Sequence, residues 1–147
     1  MPNRVYRGPS NRQPNTIGNR TVAGPYLPCT AVLVGWFQLT QANDANSGRI
    51  ALLSNRDWYG SFAHASSLTD PLLIPYATGE TGEAYVLEAG QYYLWAMAAG
   101  TYANGQPLTV GAGGRLTAAS AGNVVVAYYD QANATLTGGV LADVVIA

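Results

Sequence analysis

From Thr30 onward the chain alternates short apolar runs with clusters of glycine, asparagine and aspartate. Ala31–Leu39 (AVLVGWFQL) is continuously apolar and rich in β-formers, which predicts a strand covered on both faces. Asp44–Gly48 supplies turn residues, and Arg49–Leu53 predicts a second short strand. Asn55–Ala77 is irregular, holding Trp58, Tyr59, Phe62, the single His and an Asp70-Pro71 step. A long loop is expected there, with one helical turn near Ser61–Ser67. Gly79-Glu80-Thr81-Gly82 is another turn, after which Glu83–Glu88 and Gln91–Met97 read as a hairpin around Ala89-Gly90.

The last third has the clearest punctuation. Asn104-Gly105, Gly111–Gly114, Ala121–Asn123 and Gly138-Gly139 separate strands expected at Pro107–Val110, Arg115–Ala118, Val124–Tyr129 and Val140–Ile146. Frequent turns and the lack of a long amphipathic helix predict an all-β fold, a small sandwich, jelly roll or barrel. The first thirty residues differ. They hold five of the eight prolines and much Asn, Gly and Thr, with no helix or strand period. Such a segment cannot bury enough apolar surface to fold alone. The expected division is an extended N-terminal arm over residues 1–30 and a β-domain over 31–147.

Charge sharpens that division. Residues 1–43 carry four Arg (Arg4, Arg7, Arg12, Arg20) and no acid, whereas 44–147 carry three Arg against eight acids. All seven basic residues are Arg, and charged residues make up only 10% of the chain. Arg suits interfaces, because its planar fork binds carboxylates and is weakly hydrated. With ten Tyr and three Trp, this composition suits a surface that is covered in use, although a biased host composition would produce it too. A net charge of −1 argues against a generally basic nucleic-acid binder. The arm could neutralise phosphates, lie along an acidic protein surface, or serve as a plain leader; its sparse Arg spacing favours a protein surface. Its candidate contact residues are Arg4, Tyr6, Arg7, Arg12, Arg20 and Tyr26. Without an apolar run of membrane-spanning length or a signal-peptide core, a soluble protein made in the cytoplasm is expected, with no membrane partner.

Chemistry is sparse. His64 is the only imidazole, and no G-x-S-x-G elbow accompanies its neighbouring serines. One Cys (Cys29) and one His cannot complete a tetrahedral zinc site, and the acids lack calcium-loop spacing. Glu80 and Glu83 flank a turn, where a solvated loop is favoured over a cation site or an acid–base pair. Val110-Gly-Ala-Gly-Gly-Arg115 has glycines suited to a phosphate loop but lacks G-K-[ST], so a glycine-rich β-turn is expected. Trp36, Trp58 and Trp95 could form a sugar platform or pack in cores and contacts. Sequons at Asn19 and Asn133 are expected to be chance matches. These readings predict no enzyme, no metal and no cofactor.

The stretch Asn104–Ala147 resembles the C-terminal part of tailed-bacteriophage capsid decoration, or cement, proteins. Gly105, Leu108, Gly111, Gly114, Leu116 and Ala119 follow that family's G-x-x-L-x-x-G-x-x-G-x-L-x-x-A pattern. A V-V-V-A strand (Val124–Ala127), a Gly138-Gly139 turn and a final strand (Val140–Ile146) come next. The resemblance covers under a third of the chain. It implies a structural protein on the outer surface of an icosahedral virion, bound to the major capsid protein and to copies of itself. A homodimer or homotrimer at capsid symmetry positions would follow, with no catalytic residues. A carbohydrate- or receptor-binding module of a virion fibre is the alternative expectation.

Overall fold

The computed structural model describes residues 5–55 and 71–147. Trp58, Tyr59, Phe62, His64 and the helical turn expected near Ser61–Ser67 lie outside the described residues, as does Arg4. The fold is all-β. Twelve strands are described: β1 (Thr16–Val22), β2 (Ala31–Val34), β3 (Gln38–Gln41), β4 (Ile50–Leu53), β5 (Thr81–Tyr85), β6 (Tyr92–Ala96), β7 (Gly100–Tyr102), β8 (Pro107–Val110), β9 (Leu116–Ala118), β10 (Ala127–Tyr129), β11 (Ala134–Leu136) and β12 (Leu141–Ile146). Single 3-10 turns occur at Pro71–Leu73 and Ala112–Gly114.

Strands β1-β3-β2-β4-β5 close into a barrel. A second, five-stranded sheet has the order β6-β12-β10-β8-β9, and β7 pairs with β11 in a separate ribbon. The apolar runs AVLV of β2 and IALL of β4 are explained by their position between two cores. Val32, Ala51 and Leu53 point into the barrel with Val22, Leu39, Tyr76 and Ala84. Their alternate neighbours Ala31 and Leu52 join a larger core with Trp95, Met97, Leu108, Leu116, Tyr129 and Val144 of the second sheet. Successive side chains on a strand face opposite ways, so burial on both sides demands an unbroken apolar run.

Three expectations need correction. Ala31–Leu39 is two strands, not one: β2 and β3 form an antiparallel hairpin, with Leu33 opposite Thr40. Gly35 makes the tight turn, donating its N–H to the Gln38 carbonyl at 2.9 Å. A Cβ on Gly35 would sit 2.9 Å from that same oxygen, so the close approach requires glycine. Second, the Glu83–Glu88 and Gln91–Met97 segments do contain strands, but these do not pair with each other. β5 pairs with β1 and β4 in the barrel, whereas β6 pairs with β12. The Ala89-Gly90 turn therefore passes from one sheet to the other.

Third, much of the segment read as an arm belongs to the β-domain. β1 pairs in parallel with β3 and antiparallel with β5, closing the barrel. Its sequence TIGNRTV gives no apolar alternation, because ladders on both sides rather than side-chain burial hold it. Further upstream, Tyr6 bridges Tyr93 beside β6, and Val5 and Tyr6 are buried in the larger core. Arg7 N–H donates to Tyr92 O at 2.9 Å and Leu94 N–H to Val5 O at 2.8 Å, so residues 5–7 cover the outer edge of β6.

The glycine-rich loop turns out to be a junction between the two sheets. Gly114 (φ +71°) lies against β2, where a Cβ would come within 2.6 Å of Ala31 O. Its carbonyl accepts the indole N–H of Trp95 at 3.0 Å, and Gly113 N–H donates to Asn43 Oδ1 at 3.0 Å. Close packing, not anion binding, accounts for these glycines.

Candidate functional site: an aromatic hairpin tip

The turn between β2 and β3 carries Trp36 and Phe37 out of the barrel, 85% and 50% exposed. Their rings meet edge to face, with centroids 4.8 Å apart and planes at 63°. Scattered exposed hydrophobics are ordinary on a protein surface. Two adjacent large aromatics on one projecting turn are a different matter, because together they make one contiguous exposed apolar patch.

The tip is held rigidly from β1. Thr21 N–H donates to Phe37 O at 3.1 Å, and Arg20 Nε–H donates to Gly35 O at 2.8 Å. The Arg20 guanidinium also contacts the side-chain oxygen of Asn19. A parallel register setting Thr21 opposite Gln38 makes this clamp possible, since it lays β1 along the strand that leaves the turn. Val34 N–H donates to Arg49 O at 2.9 Å, which places exposed Arg49 at the base of the same hairpin. Trp and Arg are the residue types that dominate the energetics of protein contacts. A pre-ordered tip of this kind gives up little side-chain entropy on docking.

Of the six arm residues singled out from sequence, the five that are described, Tyr6, Arg7, Arg12, Arg20 and Tyr26, are not gathered into one site. Arg20 alone reaches the tip, where it supports the turn. Arg7 is exposed on the outer face of the second sheet, 3.4 Å from Asp143, and Arg12 is exposed further along the chain. Tyr6 is buried: its ring meets Tyr93 edge to face and lies tilted to Tyr85, and its hydroxyl donates to Arg12 O at 2.7 Å. It thus offers little surface to a partner. Tyr26 is half-buried against the barrel core and accepts Tyr76 N–H through its carbonyl.

Of the tryptophans proposed as a sugar platform, Trp95 is fully buried and Trp36 is the most exposed large hydrophobic described. Phe37 was missed by the sequence reading, and Gly35 within an apolar run was the signal that could have exposed the turn. Glu80 uses its carboxylate locally, accepting Ala77 N–H at 2.9 Å. Among the described residues, no group of three His, Cys, Asp or Glu side chains is placed to hold a metal ion. No described helix is long and apolar enough to cross a membrane. A groove of about 470 Å³ runs between residues 9–15 and the turn at 88–92, with Arg12 and Glu88 on its walls. Its lining lacks a nucleophile–base pair. No protein-family model matches the chain, and no curated protein matches it by sequence.

Proposed function

We propose that this chain is a structural protein of a tailed-phage virion, a decoration or cement protein that docks on the outer surface of the capsid. In this reading its partners are the major capsid protein and further copies of itself, and it has no catalytic role. The Trp36–Phe37 tip carries the reading: a rigid aromatic knob on a β-scaffold suits insertion into an apolar pocket of another protein. Repetition around a symmetric shell would turn many such modest contacts into high occupancy. The resemblance of Asn104–Ala147 to decoration proteins supplies the phage context, and the low charge of the chain agrees with a surface used for contacts.

Co-sedimentation with expanded phage capsids tests the proposal. Trp36→Ser is expected to reduce occupancy at least tenfold while changing folding stability by no more than about 0.5 kcal/mol, as for other exposed positions. Undiminished occupancy of the variant would remove the tip from the function, and failure of the wild-type protein to bind any capsid would remove the function itself. Trp36 also keeps the carbohydrate-binding alternative in view, since one exposed indole can stack on a sugar ring. Buried Trp95 cannot extend that platform. Glycan-array binding that Trp36→Ser abolishes would favour the alternative.

A further inference from the structure

The groove between residues 9–15 and the turn at 88–92 holds about 470 Å³, within the range of about 300–1,000 Å³ that small-molecule sites occupy. Both of its walls are fixed by hydrogen bonds. On one, Glu88 N–H donates to Gln91 Oε1 at 3.0 Å and Gly90 N–H donates to Ile146 O at 2.9 Å. Gly90 (φ +87°) supplies the left-handed residue that this turn needs. On the other wall, Arg12 N–H donates to Pro9 O at 3.2 Å, and the hydroxyl of groove-lining Tyr6 donates to Arg12 O at 2.7 Å. Val86 N–H donates to Asn15 O at 2.8 Å, which ties the end of this wall to the residue after β5.

We infer that this groove is a saccharide-binding site and that its ligand is an uncharged hexopyranose unit of a glycan. The backbone of both walls is committed, but the polar side-chain ends are not. The Arg12 guanidinium and the Glu88 carboxylate stand on opposite walls without forming an ion pair, and the Asn15 carboxamide makes no hydrogen bond to a described residue. Gln91 Oε1 accepts both Glu88 N–H and, at 2.8 Å, the Tyr93 hydroxyl, so the Gln91 amide nitrogen is left as a held, unused donor. Tyr92 adds an aromatic ring, 46% exposed. Sugar hydroxyls each donate and accept, and adjacent pairs of them match planar guanidinium, carboxylate and amide groups. The C–H face of the ring stacks on an aromatic side chain. One cation and one carboxylate balance, which favours a ligand without net charge over a phosphate or a carboxylate. A peptide strand has no ladder to join here, because Arg7 N–H already donates to Tyr92 O on the outer edge of β6.

The site goes beyond capsid docking and is measured on the full chain without capsids. Amide NMR spectra are titrated with glucose, galactose, N-acetylglucosamine, maltose, lactose and chitobiose, each to about 50 mM, and at least one should bind with about millimolar affinity, as suits an open groove. Its shifts should fall on Arg12, Gln13, Asn15 and residues 88–92. Arg12→Ala and Tyr92→Ala should each weaken binding at least fivefold. The Arg12 side chain is exposed and has no described partner, so its removal should leave the melting temperature unchanged and separate lost binding from lost folding. Trp36→Ser should bind the sugar as wild type does, which keeps this site distinct from the hairpin tip. Absence of shifts at these amides with every saccharide would overturn the inference. So would binding indifferent to both groove variants, shifts centred on Trp36, or a short proline-containing peptide that shifts the groove where all the sugars fail.

Discussion

In the barrel each of the five strands has a hydrogen-bonded neighbour on both sides, whereas the second sheet ends at β6 and β9. The barrel has no edge to protect, so its surface features arise where the chain turns at its ends, and the Trp36–Phe37 tip is one of these. The second sheet must deal with two edges. Residues 5–7 lie along β6, and Met97, just past β6, bridges Leu116 of β9 so that the two ends of the sheet approach each other. With its edges covered and one face against the barrel, what that sheet still offers is its outer face. Closure thus leaves a point for contact, and an open sheet leaves a plane.

The two regions nevertheless share one large core, and Trp95 stands at its centre. Trp95→Ala is expected to cost about 3–5 kcal/mol, the usual range for a buried aromatic. Because the indole also binds the loop that packs on β2, denaturant unfolding of this variant should remain a single transition at lower midpoint. Two separated transitions would mean that barrel and sheet fold independently.

A smaller effect is expected at the junction itself. Gly114→Val places a branched side chain at φ +71°, against the Ala31 backbone, and should destabilise by about 1–3 kcal/mol. Hydrogen exchange should show the loss spreading to both β2 and β9. Protection lost from β9 alone would show that the loop does not couple the two regions.

The weakest effect separates the regions by pH. Burial of Tyr76 in the barrel core pushes its phenol up to about 12 from 10.0, against the opposing influence of its hydrogen bonding at Ser54. Burial also raises Tyr93, the phenol in the larger core, with Tyr85 and Tyr6 adding to it. A raised pKa means that the fold prefers the neutral phenol. The corresponding stability is complete below pH 10 and declines as pH rises through about 12 for Tyr76. Tyr76→Phe should cost about 1 kcal/mol at neutral pH for the lost hydrogen bond and make the alkaline decline shallower. Melting curves taken between pH 8 and about 12 check this; a decline identical to wild type would assign it wholly to other groups.

The all-β class was legible because turn chemistry and short apolar runs are local signals. Pro107–Val110 coincides with β8, and Arg115–Ala118 and Val140–Ile146 each contain their strand nearly to the residue. Val124–Tyr129 was read too long: only Ala127–Tyr129 is β10, and Val124 and Val125 are exposed despite their β-branched side chains. β7 and β11 escaped notice because GTY and ATL are short and have no run of apolar residues. β1 escaped because its stability comes from backbone ladders to β3 and β5, which leave no mark on side-chain type. The candidate site was the least legible part. The candidates were arginines and tyrosines of the arm, yet the tip is built from Trp36 and Phe37, with Arg20 as its support.

Trp36 and Trp95 show where local information ends. Each follows an apolar residue or a glycine within an apolar β-rich run, GWF in one and YLWA in the other. The sequence determined that both stand in short, β-forming, turn-bounded segments, because period and turn propensity are properties of a few adjacent residues. Their fates were settled by which strands meet. β6 lies inside the contact between sheet and barrel, so Trp95 is sealed and gives its N–H to Gly114. The turn after β2 projects beyond the last rung of the barrel, so no described strand covers Trp36. Burial depends on pairings between residues far apart in the chain, and those were decided by tertiary structure alone.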